Sequence, residues 1–369
     1  MTLVQVLALA LSLPVAQAAP GGVQEAAGGP QEAPPHAERV ERRLQAMGTW
    51  FEVDLRAPDR LQGLRASERA LRALQAVEAR LSTWTEDSPL ARLNRAPVGE
   101  AFVPGPELAE DLRRAWRIQE ETGGAFDPGV GPLVEAWGLR SGGRRPSGEE
   151  LEAARDASGL RRFSLSADGV RRLHPGAALE EGGFGKGRGL EAALAALSEA
   201  GIRQARLDLG GQLAFLGEAP ETHALAHPDD RARGVLALTL EGGSLATSGN
   251  GVRGITVDGE RLGHLLDPRT GRPAPDFGSL SVWSPDPFEA DALSTGLYVL
   301  GPEAALAWAE ERPHLKVVAL VRRPGGLEAW ITKNWRGAVA PLEEGLVLRT
   351  PGAGGQVTHH EARQETEAR

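Results

Sequence analysis

Residues 286–301, DPFEADALSTGLYVLG, spell out a helix with both of its ends. Asp286 is placed to cap the first turn, Pro287 suits the first helical position, and Glu289 stands where a capping box needs it. Leu293, Leu297 and Leu300 follow at helical spacing, and Gly301-Pro302 stops the helix. A second helix starts at Pro302 and runs to Glu311, and Leu315 to Val321 is a strongly apolar run of strand length. Asp291 and Thr295 stand four apart on the first of these helices, so their side chains share one face.

Toward the N-terminus the same mixture of short elements continues. Thr49 to Leu55 alternates apolar and polar residues, as a half-buried strand does. Ser67 to Leu81 carries Leu71, Leu74, Val77 and Leu81 at helical spacing, and Glu107 to Glu121 is a further helix ending before Gly123-Gly124. Leu190 to Ala200 is an alanine-rich helix stopped by Gly201. Beyond it, Ala205 to Leu209, Leu213 to Leu216, Gly234 to Leu240 and Leu280 to Trp283 read as strands joined by tight turns. Helices and strands mixed without a regular βαβ rhythm predict an α+β fold.

Composition limits the function classes. The chain has 369 residues, 50 acidic and 41 basic, so a general polyanion-binding surface is a poor reading. The absence of cysteine excludes thiol catalysis, zinc–thiolate sites, Fe–S clusters and a disulfide framework. The apolar run from Leu3 to Val15 leads to Ala16-Gln17-Ala18, a small-x-small pattern, and residues 1–18 are expected to be a signal peptide. No Lys or Arg precedes the run, so a short buried helix or a misplaced start stands as the other reading. The product is expected to be exported and soluble, without a cysteine to carry a lipid. Residues 19–40 read as a disordered linker, 41–350 as the folded domain and 351–369 as a disordered tail.

Several sites have residues suited to chemistry. A carboxylate and a hydroxyl one turn apart, joined by a main-chain carbonyl, make an oxygen-only pocket suited to Mg²⁺; taken alone, the pair reads more readily as a solvated acid near a helix N-terminus. Gly182 to Gly189 (GGFGKGRG) forms a glycine-rich loop running into the Leu190 helix, either a phosphate cradle with Lys186 as its charge or a structural turn. It is neither a Walker A loop nor a dinucleotide fingerprint. Trp84, among Ser82, Thr83 and Asp87, is a stacking face or a core residue. Thr122 to Gly138 crowds turn residues around Phe126 and Asp127. His264 opens a turn-rich stretch, Leu265-Leu266-Asp267-Pro268-Arg269-Thr270-Gly271, and is a candidate catalytic or structural histidine. The lack of a Gly-x-Ser-x-Gly elbow speaks against a serine hydrolase.

The order and wording of these stretches resemble the ApbE family of FAD:protein FMN transferases. The stretches are AMGTWFEV from Ala46, LSTWTEDSPLARLN from Leu81, TGGAFDPGVGPLVEAWG from Thr122 and EEGGFGKG from Glu180. RLDLGGQLAFLG from Arg206, LATSGN from Leu245, GHLLDPRTG from Gly263 and ADALSTGLYVLG from Ala290 complete the set. The resemblance implies a two-lobed α+β fold of mixed, largely antiparallel sheets with FAD in the cleft between the lobes. It implies Mg²⁺ held by Asp291, Thr295 and the Gly185 carbonyl, and a flavin contact at Met47, Gly48 and Thr49. Trp84 matches an aromatic position against the isoalloxazine ring, and Phe126, Asp127, Glu180 and Gly183 fall in FAD-contacting stretches. Lys186 and His264 match positions near the phosphates and the reacting centre and are the catalytic candidates. The chain departs from the family pattern at Glu180, usually Asp, at Arg188, often Tyr, and at Asn250-Gly251, usually an acidic–aromatic pair.

The implied reaction is Mg²⁺-dependent transfer of FMN from FAD to a threonine of an acceptor redox protein, with AMP released. An FAD pyrophosphatase giving FMN and AMP, and a non-catalytic FAD-binding protein, are the alternatives.

Overall fold

The computed structural model describes residues 37–251, 254–257, 259–335, 337–351 and 357–360. The expected signal peptide and nearly all of the expected linker lie outside them. At the boundaries the structure adds strand: Glu38–Ala46 begins inside the expected linker, and Val357–His360 pairs with Val347–Pro351 inside the expected tail. Charged residues fill the Glu38–Ala46 stretch (ERVERRLQA), which masks its strand character; it forms one edge of the sheet, where charge deters pairing with another chain.

The frame is a ten-stranded sheet. In spatial order its strands are Glu38–Ala46, Thr49–Ala57, Gln204–Leu209, Gln212–Leu216, Gly243–Gly249, Gly278–Ser284, Lys316–Arg323, Gly326–Ile331, Val347–Pro351 and Val357–His360. Neighbours pair antiparallel except Gly326–Ile331 with Val347–Pro351. The first hairpin turns at Met47-Gly48, both at positive φ (49° and 68°), the two-residue turn that matches strand twist. The fold is thus α+β with mixed, largely antiparallel sheets.

The helices Arg60–Leu81, Gly185–Glu199, Pro287–Leu300 and Pro302–Glu310 pack with this sheet, and a three-stranded sheet of Val339–Pro341, Asp230–Leu240 and Glu221–His227 packs with it as well. The strand Lys316–Arg323 explains its own apolar run. Val317, Ala319 and Val321 join the cluster containing Leu293 and Leu297, while Val318 and Leu320 join the one containing Val235 and Leu238. A strand buried on both faces has no polar side to alternate with. Residues 89–172 hold a second group of elements, including the helices Pro106–Glu121 and Gly131–Ala136 and the small sheet Ala101–Phe102, Gly169–Arg172 and Phe163–Ser166.

Two local expectations change. Asp286 does cap the Pro287–Leu300 helix, accepting from the amides of Phe288 and Glu289, but the reciprocal half of the capping box is absent. The Glu289 carboxylate instead accepts from Ser284, whose oxygen receives the Asp286 amide at 3.1 Å. The glycine-rich run is also not a loop throughout: the helix begins at Gly185, so Lys186, Gly187, Arg188 and Gly189 are helical.

Candidate active site

The two helices carrying Lys186 and Asp291 cross in close contact, and glycine makes the crossing possible. A Cβ at Gly187 would stand 2.2 Å from the Pro287 carbonyl oxygen and 2.8 Å from Asp291 Cβ. Glycine costs about 1 kcal/mol in a helix interior, and the approach of a second helix explains its presence here. With the helices this near, Lys186 Nζ donates to Asp291 Oδ1 at 2.8 Å and the Gly187 amide donates to Asp291 Oδ2 at 2.9 Å. Asp291 is only 2% exposed, so its charge is one that needs such partners.

One turn further, Thr295 is half-buried, and among the described residues its hydroxyl makes no hydrogen bond. The neighbouring Ser294 hydroxyl is committed to the Asp291 carbonyl at 2.9 Å and to Ser248 at 2.9 Å. Gly183 lies beside Thr295: a Cβ there would stand 3.6 Å from Thr295 Oγ1. Gly185 opens the helix, its amide bonded to the Glu181 carbonyl at 2.8 Å, and faces Glu181 and Met47. Met47 therefore reaches this glycine turn from the hairpin; its sulfur would be 3.1 Å from a Cβ at Gly189. Thr49 lies under the Gly210 turn, where a Cβ would stand 2.8 Å from Thr49 Oγ1.

These residues fit a hard dication. The side-chain donors are oxygen only, the Asp291 carboxylate and the Thr295 hydroxyl, with the glycine turn of Gly183 beside them. Lys186 already offsets the Asp291 charge, so a bound dication leaves the site positive and suited to a pyrophosphate. Among the described residues no group of three or more His, Cys, Asp or Glu gathers into an all-side-chain metal site.

Phe126 and Asp127 are less available than their motif suggests. Phe126 is 2% exposed; its ring lies against Gly183, and its backbone and Cβ lie against Gly296. The Asp127 carboxylate accepts from the amides of Gly129 at 2.7 Å and Leu160 at 3.0 Å, fixing the loop, and burial pushes its pKa up to about 6. Glu180 and Glu181 sit with Thr83 on the near side of the glycine turn: the Thr83 hydroxyl donates to Glu181 at 2.6 Å, and Arg140 pairs with Glu180. Burial pushes the Glu180 carboxyl up to about 7, against the pull of Arg140. Trp84 is exposed, so it is not the core residue its bland reading allowed.

His264 is half-buried at the end of the Glu260–Gly263 strand. Its segment is anchored by the buried Asn250, whose side-chain oxygen accepts from the Leu265 amide at 3.4 Å and whose amide nitrogen lies against Gly263. Asn250 follows the strand that carries Ser248, and Ser248 bonds Ser294 on the Asp291 helix. A continuous path thus joins the histidine segment to the acid–hydroxyl pair. Sequence reasoning missed three participants: Glu181, Arg140 and Asp111. Asp111 is 1% exposed and receives Arg80 at 2.9 Å and Arg188 at 2.8 Å, so the departure at Arg188 ties the Lys186 helix to the Arg60–Leu81 and Pro106–Glu121 helices.

Similarity to known proteins marks this chain as a transferase that handles flavin. The chain belongs to the ApbE family, whose model matches residues 47–319. It is 31% identical over 307 residues to the FAD:protein FMN transferase of Klebsiella pneumoniae (strain 342), covering 79% of this chain and 87% of that protein. It is 29% identical over 321 residues to the enzyme of the same name from Escherichia coli (strain K12), covering 83% and 91%. Among solved structures, the flavin transferase ApbE from Vibrio cholerae aligns with a TM-score of 0.70 and 27% identity over 81% of this chain and 99% of that one.

Proposed function

We propose that this chain is an FAD:protein FMN transferase that moves FMN from FAD onto a threonine hydroxyl of an acceptor redox protein and releases AMP. The observation that carries the reading is the buried Asp291 carboxylate, held by Lys186 and the Gly187 amide with an unpaired Thr295 hydroxyl one turn away. The relatives' shared name supplies the substrate pair, and in this reading FAD binds beside these residues.

In the step, the acceptor oxygen bonds to the FMN-side phosphorus, the bond to the bridging oxygen breaks, and that oxygen leaves with AMP. Phosphoryl transfer needs charge stabilisation and in-line positioning more than covalent help. Lys186 faces the phosphate charge. Asp291, Thr295 and a main-chain carbonyl of the glycine turn would hold Mg²⁺, which would offset the charge on the pyrophosphate. His264 takes or orients the threonine proton. The Trp84 ring stacks on the isoalloxazine.

Incubation with FAD, Mg²⁺ and a threonine-bearing acceptor tests the reading. Covalent flavin on the acceptor supports it; free FMN alone replaces it with a pyrophosphatase, and unchanged FAD with a binding protein. Export is proposed from the apolar leader at Leu3 to Val15, and the N-terminal residue of the mature protein checks it.

A further inference from the structure

Arg140 belongs to none of the motifs above. It follows the Gly131–Ala136 helix in a turn where Gly138 takes a positive φ of 61°. Its guanidinium nonetheless makes a dense set of contacts. Nη1 donates to the Thr83 carbonyl at 3.2 Å, and Nη2 donates to the Thr83 hydroxyl and to the Glu180 carboxylate. The guanidinium carbon lies 4.4 Å from the centre of the Trp84 ring, within cation–π range.

Trp84 is 72% exposed. An indole with so little packing has few contacts to fix its rotamer, and ordering it at the moment of ligand binding costs affinity. A planar guanidinium, itself fixed by hydrogen bonds, supplies that order in advance.

We propose that Arg140 is a positioning residue that presets Trp84 as the platform for the isoalloxazine ring, holding one indole face and leaving the other for the flavin. The inference rests on the reading of FAD as substrate.

Two observations favour the face away from Arg140 over displacement of the arginine. Glu180 and Glu181 are adjacent carboxylates sharing the Thr83 hydroxyl, and Arg140 is the cation paired with Glu180. The Glu180 side chain is only 18% exposed, so expelling Arg140 strands a desolvated charge beside a second carboxylate. The arginine is thus held in place by Glu180 and Thr83 on the indole face it covers.

Binding of FAD and of AMP to wild type, Arg140→Ala, Trp84→Ala and the double variant tests this. Arg140→Ala should weaken FAD about 2- to 5-fold, the scale of one exposed cation–π contact, and leave AMP unchanged. In the Trp84→Ala background the same substitution should change FAD affinity by less than about 2-fold, since the partner through which it acts is gone. In the ligand-free protein, the Trp84 indole NMR signal, assigned by its loss in Trp84→Phe, should move and narrow in Arg140→Ala. An equal loss for AMP, an equal loss without Trp84, or an unmoved indole signal overturns the proposal. Wild type that fails to bind FAD overturns the functional reading instead, while the indole signal still decides whether Arg140 holds Trp84.

Discussion

Lys186 Nζ sits 2.8 Å from Asp291 Oδ1, two residues 105 apart in the chain brought together by the crossing of two helices. The contact joins the charge that would face phosphate to the carboxylate that would hold a cation. Each offsets the other until a ligand carrying both charges arrives, and Asp291 is buried enough for that balance to matter.

Replacing Asp291 by Asn should therefore remove transfer while the helix crossing persists, because the amide keeps the shape but loses the charge a hard dication prefers. Turnover of FAD at matched Mg²⁺, with circular dichroism as the folding control, measures it. Wild-type turnover in the variant would remove Asp291 from the metal set.

Gly187→Ala probes the crossing. The added methyl meets the Pro287 carbonyl oxygen at 2.2 Å, and backbone cannot swing aside as a side chain does. A loss of about 1–3 kcal/mol in unfolding free energy is expected, the usual cost of overpacking. Urea denaturation reads it; an unchanged midpoint would mean that the helices separate freely and that the Lys186–Asp291 distance is soft.

The Glu180 carboxyl gives a pH dependence of defined direction. Its pKa rises on folding from 4.5 to about 7, chiefly through burial. Between these values the folded protein holds a proton that the unfolded chain has released, so stability falls as pH rises from about 4.5 to 7 and this contribution levels off above. Asp127, raised from 3.8 to about 6, acts in the same direction over a lower window. Glu180→Gln should flatten the slope between pH 5 and pH 7.5 in denaturation midpoints; an undiminished slope would assign it to other groups.

His264→Ala separates transfer from hydrolysis. A threonine hydroxyl is a weak nucleophile near neutral pH, and a positioned base is worth roughly 10²- to 10⁴-fold. Protein flavinylation should fall by that order, and background release of FMN far less. The two products are measured in one tube. If they fall together, His264 serves the leaving group or the fold.

Much of this was readable before the fold was known, and for a local reason. The Pro287–Leu300 helix carries its own cap, first-turn proline and terminating glycine, and Lys316–Arg323 carries an apolar run that only a doubly buried strand tolerates. What misled was composition without context. GGFGKGRG reads as loop because glycine disfavours helix, yet the helix begins at Gly185, since a neighbouring helix occupies the space a side chain would need. Glu289 matched a capping box by spacing, but Ser284 took over the Asp286 amide.

The sequence by itself determined the order and type of the main elements, the α+β class, and the motifs that place Asp291, Thr295, Lys186, Trp84 and His264 under one family. Caps, periodicity and turn residues act between near neighbours in the chain, so they survive in a one-dimensional reading. The tertiary structure alone decided that Gly183 stands beside Thr295, that Asn250 holds the histidine segment, and that Arg140 covers a face of Trp84. Those relationships join residues that are not near neighbours in the chain, and their energies exist only once packing has excluded water and fixed which side chains meet.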